Sequence, residues 1–362
     1  MNEATAAADG EILFAVTGGL GEITLNRPKA LNAVTQPMVT AMDAQLKAWA
    51  EDPAVGAVVV RGAPRDETRV PFCAGGDIRL IYDERNDPDR RFAVEFYAEE
   101  YRLNSFIYRY PKPYIALIDG VVMGGGAGVS IHGSHRVMSE RTMFAMPETG
   151  IGLVPDIGAT YFLSRLPGRT GLYLGLTAAR IGGADALHLG LATHYVPSDR
   201  MAALDTALRA GDYSSSAHAA VGRILDRFTE APGAAPIVEN LDAIDRCFGG
   251  KTIEQVIARL QAEGTPWADE TLAALAEKSP TSLKVTFRQL TTLGDLDLED
   301  ALKMEYRMAI RCNFGPELFE GIRAVVIDKD RSPKWQPASL AEVSDDLVAE
   351  HFAAPATGDM TF

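Results

Sequence analysis

Two carboxylates, Glu148 and Asp156, stand eight residues apart in the run Met146-Pro147-Glu148-Thr149-Gly150-Ile151-Gly152-Leu153-Val154-Pro155-Asp156. Two glycine-rich turns lie upstream, Cys73-Ala74-Gly75-Gly76-Asp77 and Met123-Gly124-Gly125-Gly126-Ala127-Gly128. Glycine lacks the Cβ that would block a ligand, so such turns expose bare backbone N–H groups. A turn that leads into a helix adds the positive end of the helix dipole. Two convergent turns make an oxyanion hole, where loss of one donor costs roughly 10²–10³ in rate. Acids beside such a hole serve as nucleophile or as acid and base. That combination suits thioester chemistry.

Each feature also has a plainer reading. A glycine cluster serves tight strand–helix packing just as well, and neither cluster fits G-x-G-x-x-G or the Walker A pattern. Glu148 follows Pro147, where a solvated turn residue is ordinary. Its neighbours Phe144-Ala145-Met146 and Ile151-Gly152-Leu153 are apolar, however, which predicts a raised pKa or a nearby donor. Asp156 precedes an expected helix, so an N-cap role stands beside a role in a pocket, and the two are compatible. His132 and His135 form H-x-x-H without a third ligand nearby, which does not predict a metal site. Ser130 misses the nucleophile elbow because residue 132 is not glycine. Cys73 has no histidine close in sequence and reads as a small packed residue. On composition alone, Glu99 and Glu100 read as part of a solvated helical face.

The elements around these residues alternate. Residues 12–16 and 22–25 read as a hairpin across Gly18-Gly19-Leu20-Gly21. Met38, Met42, Leu46 and Trp49 fall at helical spacing, and Asp52-Pro53 ends that helix. The apolar runs 55–60 and 115–118 read as buried strands, each followed by a glycine turn. Residues 92–108 read as a long helix, 128–132 as the start of another, and 157–166 as a third. Residues 137–138 and 143–145 read as short strands. This repetition predicts an α/β architecture. Beyond about residue 211 the chain reads as mainly helical. Ile253, Val256, Ile257 and Leu260 share one face there, and Leu302, Tyr306 and Ile310 share another. The expected division is residues 10–210 for an α/β core and 211–352 for a helical region packed on it.

Composition excludes several function classes. The chain has 362 residues, 47% of them hydrophobic, enough for one large domain or two smaller ones. Lys+Arg total 35 and Asp+Glu 49, a net charge of −14, which argues against general nucleic-acid binding. A small basic pocket for one phosphorylated ligand remains compatible with that charge. Three cysteines without metal-ligand spacing point to a reducing cytosol. The start of the chain lacks the basic and apolar regions of a secretory signal. Residues 114–131 are the best membrane candidate, but Asp119 and many glycines favour a buried strand, turn and helix. A cytoplasmic protein with no membrane or nucleic-acid partner is the expectation.

Three further runs sharpen this picture. Asn26-Arg27-Pro28-Lys29-Ala30-Leu31-Asn32, Ala74-Gly75-Gly76-Asp77-Ile78 and Gly124-Gly125-Gly126 resemble the crotonase (enoyl-CoA hydratase/isomerase) superfamily. Within it the chain resembles a branch that hydrolyses short β-hydroxyacyl-CoA thioesters. The carriers are Glu99-Glu100-Tyr101-Arg102-Leu103-Asn104, Phe144-Ala145-Met146-Pro147-Glu148-Thr149, and Glu320-Gly321-Ile322-Arg323-Ala324-Val325-Val326-Ile327-Asp328-Lys329-Asp330 with Pro333-Lys334-Trp335. The resemblance implies a crotonase-like spiral of ββα units with a C-terminal helical region. It places an oxyanion hole at the N–H groups of Gly76 and Gly125. Glu148 corresponds to the shared acid, Asp156 to the second acid of the hydrolase branch, and Glu100 to a substrate-contacting residue. Gly125, Glu148 and Asp156 would also contact substrate. Hydratases of the superfamily carry a second catalytic Glu just after the glycine turn, where this chain has Gly128.

The implied reaction is cleavage of 3-hydroxyisobutyryl-CoA to 3-hydroxyisobutyrate and CoA, a step in valine breakdown. It needs no cofactor, because CoA is part of the substrate. The alternatives are a crotonase-type hydratase or isomerase and a non-catalytic acyl-CoA-binding protein. By the same resemblance Arg27, Lys29 and Arg79 lie in loops that meet the CoA phosphates, with surface solvation an equal reading. A homo-oligomer, trimer or hexamer, is implied as well.

Overall fold

A computed structural model describes residues 10–66 and 70–362. Residues 1–5, on which the reading of the chain start rests, lie outside the described residues. The strands in chain order are β1 (Ile12–Thr17), β2 (Leu20–Leu25), β3 (Ala57–Gly62), β4 (Tyr114–Ile118), β5 (Val121–Met123), β6 (His135–Met138), β7 (Met143–Ala145), β8 (Ile181–Gly182) and β9 (His194–Tyr195). One sheet runs β1-β2-β3-β4-β6-β9 and a second runs β5-β7-β8. β1 and β2 form the expected antiparallel hairpin. From β2 onward the larger sheet is parallel. Every residue of β4 is buried, and β3 is buried except at Arg61, because a parallel strand is covered on both faces. Their unbroken apolar sequences reflect that burial.

Two compact units divide the chain. The first comprises Met1–Gly76, Arg102–Phe144 and Ile181–Ala235; the second comprises Asp77–Tyr101, Ala145–Arg180 and Pro236–Phe362. These units do not follow the division into residues 10–210 and 211–352. The helix Ala159–Leu163 packs on Leu298–Asn313, and Thr170–Thr177 packs on Pro280–Thr292, so two mid-chain stretches belong with the C-terminal helices. Their apolar side chains find partners far away in sequence, which local periodicity does not reveal.

In the first unit, Val59, Ile115 and Val137 from neighbouring strands pack with Leu204, Leu208, Val221 and Leu225 from the helices Ser198–Arg209 and Ala217–Asp226. The helix Gln36–Glu51 buries Met38, Met42, Leu46 and Trp49, the face its spacing predicted. In the second unit most of the longer helices begin on a local side-chain cap. Thr252, Thr265, Ser279 and Asp297 each accept the N–H three residues on. The described residues beyond 211 carry helices and no strand.

Two helix expectations need correction. The helix expected at 157–166 spans only Ala159–Leu163. Ile157 and Gly158 have φ of +57° and +89°, which a right-handed helix cannot include. The helix expected from residue 128 instead starts inside the glycine turn and ends there, as Gly125–Gly128. Residues 114–131 are therefore β4, β5 and a short buried helix, and no helix among the described residues is long and apolar enough to cross a membrane.

Candidate active site

The first unit holds the glycine turns. Cys73 N–H donates to the Val121 carbonyl at 2.9 Å, and Met123 N–H donates to the Cys73 carbonyl at 3.0 Å. This parallel pairing brings together the two turns that follow. A Cβ added to Gly75 would sit 3.4 Å from the Met123 carbonyl and 3.8 Å from the Gly125 nitrogen. Gly75 has φ +116°, a conformation side-chain-bearing residues rarely adopt. The run 26–32 braces this turn. Asn32 is fully buried; its Nδ2 donates to the carbonyls of Ala63 and Pro71, and its Oδ1 accepts the Arg27 N–H. Val34 N–H donates to Gly75 and Ala74 N–H to Leu31. The N–H groups of Gly76 and Gly125 donate to no backbone carbonyl among the described residues. At Gly125 the cause is its place at a helix start, where no intrahelical acceptor exists.

The second unit holds the acids. Glu100, Glu148 and Asp156 are 2%, 4% and 5% exposed, so none lies on a solvated face. The surface reading of Glu100 is thereby corrected: the helix Arg91–Tyr108 turns it inward with Tyr97 and Tyr101. Tyr101 donates its hydroxyl to Asp156 Oδ2 at 2.7 Å. Glu148 begins the 3₁₀ turn Glu148–Ile151. A Cβ on Gly321 would lie 2.3 Å from the Ile151 carbonyl, so the helix Glu317–Ile322 can press on this turn only with glycine there. Two runs distant in sequence, 144–149 and 320–330, are thus joined around Glu148.

Burial, reinforced by the Asp156 charge, holds the Glu148 carboxyl well above its ordinary range. Burial also raises Asp156, to about 6, against the lowering effect of the Tyr101 bond. Burial and the Asp156 charge raise Glu100 to about 8. Glu148 and Asp156 therefore titrate as a pair, and Asp156 carries the charge more readily because only it has a hydroxyl donor. Glu100 Oε1 and Glu148 Oε2 are buried without a hydrogen-bond partner among the described residues. Leaving a buried acceptor unpaired costs about 1–3 kcal/mol, which a donor from a bound molecule would recover.

The N-cap reading of Asp156 resolves in favour of the cluster. Gly158 is the N-cap of the following helix, and the Asp156 side chain faces Tyr101 instead. The capping is supplied by Glu305, which accepts from Gly158 N–H and Thr160 N–H. Sequence reasoning missed Glu305, because it stands 147 positions from the N–H it serves. Its only signal is an acid at a core position of an amphipathic helix, between Leu302 and Tyr306.

Other candidates are accounted for structurally. Ser130 donates to the Gly126 carbonyl at 2.8 Å, and Cys73 is buried, its thiol directed to the Gly75 carbonyl at 3.5 Å. His135 stacks on His194, and no group of three potential metal ligands is found among the described residues. Arg27 pairs with Glu11 at 2.9 Å, whereas Lys29 and Arg79 are exposed. In the run 320–330, Arg323 gathers Glu320, Asp328 and Asp330, so that run builds an ion-pair hub.

Comparison with known proteins places this geometry in a class. The enoyl-CoA hydratase/isomerase family description matches residues 20–352, and the chain belongs to that family of acyl-CoA enzymes. The chain is 44% identical over 357 residues to the mitochondrial 3-hydroxyisobutyryl-CoA hydrolase of Xenopus laevis, covering 97% of this chain and 91% of that one. It is 42% identical over 367 residues to the Homo sapiens protein of the same name, covering 100% and 93%. Among solved structures, a carnitinyl-CoA dehydratase from Mycobacterium thermoresistibile superposes with a TM-score of 0.90 at 42% identity, covering 98% of this chain and 99% of that one. An enoyl-CoA hydratase from Rhodobacter sphaeroides 2.4.1 superposes at 0.88 and 39%, covering 98% and 100%. The crotonase-like α/β fold with a helical C-terminal region follows from these matches.

The cytoplasmic expectation is overturned, since the hydrolase relatives are named mitochondrial. The cysteine argument separates reducing from oxidising compartments and cannot tell one reducing compartment from another.

Proposed function

We propose that this chain hydrolyses a short β-hydroxyacyl-CoA thioester, with 3-hydroxyisobutyryl-CoA the substrate its relatives' names indicate. The observation that carries the reading is the pair of buried, unpartnered carboxylate oxygens on Glu100 and Glu148 beside Asp156. An ionised carboxylate only accepts hydrogen bonds, and a protonated one, the form burial favours at Glu100, also donates one. A substrate β-hydroxyl is a partner that an enoyl chain lacks, whereas an attacking water is common to both reactions.

In this reading the Gly76 and Gly125 N–H groups receive the thioester oxygen as it gains charge. Glu148 attacks the carbonyl carbon, the C–S bond breaks, and CoA leaves as a thiolate that takes up a proton. Water then opens the mixed anhydride, releasing 3-hydroxyisobutyrate and freeing Glu148. A general-base route, in which Glu148 takes a proton from the attacking water, uses the same residues. Desolvation favours both, because it makes the Glu148 carboxylate more basic. Asp156 binds the substrate hydroxyl or assists the leaving thiolate, and Glu100 holds the acyl end. No cofactor is required, and the reaction fits valine breakdown. A trimeric or hexameric assembly, checked by light scattering, completes the reading.

A second reading, hydration of an enoyl-CoA, draws on the two solved relatives described as a dehydratase and a hydratase. Gly128 weighs against it. Water addition across a double bond uses two positioned acids, and the hydratases' second one would stand at this glycine. Thiol release from 3-hydroxyisobutyryl-CoA, measured beside loss of the enoyl absorbance of crotonyl-CoA, separates the readings. The hydrolase reading expects the first signal alone, and Glu148→Gln should abolish it while CoA-ester binding survives. Near-full turnover in that variant refutes the mechanism. Ligand binding without turnover in the unaltered protein would indicate a non-catalytic acyl-CoA binder.

A further inference from the structure

Asp156 is followed by a turn that its own sequence disfavours. Ile157 has φ +57° and Gly158 φ +89°. For a β-branched residue the left-handed region is a genuine outlier, and it persists only where the surroundings overdetermine it. Here the surroundings are two helices of the C-terminal region. Glu305, fully buried on Leu298–Asn313, accepts the Gly158 N–H at Oε2 and the Thr160 N–H at Oε1, both at 2.6 Å. Gln289, fully buried on Pro280–Thr292, donates from Nε2 to the Pro155 carbonyl at 2.6 Å and to the Thr160 hydroxyl at 2.8 Å. The backbone on both sides of Asp156 is therefore clamped, while Tyr101 holds the carboxylate itself at 2.7 Å.

Ordinary helix capping does not explain this arrangement. Thr252, Thr265, Ser279 and Asp297 cap their helices from the adjoining position. The helix Ala159–Leu163 is only five residues long, has glycine as its N-cap, and draws its cap from a carboxylate 147 positions away. A serine or aspartate at position 158 is the simple local solution. What a local cap would not do is hold residue 157 in a left-handed conformation.

We infer that Glu305, supported by Gln289, is a positioning residue that holds the strained Asp156-Ile157-Gly158 turn in the conformation that directs the Asp156 carboxylate to Tyr101 and the acid cluster. The inference rests on the proposed role of Asp156 in thioester cleavage. Catalytic groups need placement to within a fraction of an ångström, and rigid neighbours supply it.

Thiol-release kinetics on 3-hydroxyisobutyryl-CoA would be compared for the unaltered protein, Asp156→Asn, Glu305→Gln, Ile157→Gly and the Glu305→Gln/Ile157→Gly double variant. A glutamine at 305 satisfies one N–H but turns an NH₂ toward the other. We expect Glu305→Gln to lower kcat roughly 10- to 100-fold, the loss that a misplacement of about an ångström brings, with KM little changed. The double variant should recover most of that loss, because glycine holds positive φ without strain and needs no clamp. A merely structural cap predicts the opposite, since glycine at 157 would add to the damage. Wild-type kcat in Glu305→Gln, or a double variant no faster than the single, overturns the inference. If Glu305→Gln fails to fold, Gln289→Met takes its place, with the same rescue expected and the same results overturning it. Asp156→Asn tells the two failures apart. Full activity there removes the role of Asp156 and the positioning inference with it. An inactive Asp156→Asn beside an unimpaired Glu305→Gln removes only the inference.

Discussion

Glu22 in the first unit and Glu100 and Glu148 in the second are buried acids that titrate in opposite directions. In the first unit, Glu22 is 6% exposed and meets two guanidinium groups, with Arg61 at 2.8 Å and Arg209 at 2.9 Å. Burial alone would raise its pKa, but the bonds from Arg209 and Arg61 outweigh burial and bring it to about 2. In the second unit, Glu100 and Glu148 are more deeply enclosed, and no cation is among the groups that shift them. Both are raised. Burial pushes all three upward, so burial alone does not decide the direction. The partners do. A carboxylate fully paired with arginine is committed to structure, whereas one left desolvated and unpaired is basic and open to a ligand.

The largest break in this comparison is Glu148→Gln against Glu22→Gln. The first should lower kcat for thiol release by roughly 10³ or more, as loss of an essential nucleophile or base does. The second should leave kcat intact and lower stability by about 1–3 kcal/mol, because Arg61 and Arg209 lose their bonds to Glu22 and keep only Asp205 among the described residues. Denaturant unfolding and steady-state kinetics on both variants check the contrast. A stable, active Glu148→Gln would erase it.

Stability against pH sharpens it further. The folded-state pKa of Glu22 is depressed, so its contribution is present above about 4.5 and is lost as pH falls through about 2. Glu100 is raised from 4.5 to about 8, so the unfolded chain ionises first and stability falls as pH rises between those values. Glu100→Gln should flatten that alkaline decline, and Glu22→Gln should flatten the acid one. Unfolding free energies measured from about pH 2 to about pH 9, which spans both pKa windows, would expose slopes of the same sign, which this account does not allow.

The smallest effect is at Tyr101. Tyr101→Phe removes the one hydroxyl donor to Asp156 and should raise the Asp156 pKa further above about 6. The acidic limb of kcat/KM should then move to higher pH by up to about one unit. An unmoved limb would mean that Asp156 ionisation does not govern that side of the profile.

Much of the fold is visible in local pattern. The hairpin, the buried strands β3 and β4 and the helix Gln36–Glu51 each follow from spacing within a few residues. The apolar flanks of Glu148 also announced its desolvation. Glu100 was misread on composition because its helix carries acids on more than one face, and only packing shows which is buried. The helix expected from residue 157 failed because a left-handed Ile157 has no sequence signature; it is held there by Glu305 and Gln289.

The class of chemistry is legible in short stretches of the chain. Glycine turns and two acids at set spacings are local features, and their neighbours limit what they do. Which acids are paired, which stay bare and where Asp156 points are set by the packed chain. Desolvation, charge coupling and imported hydrogen bonds act through space between residues as far apart as Asp156, Tyr101 and Glu305, and no short window of sequence contains them.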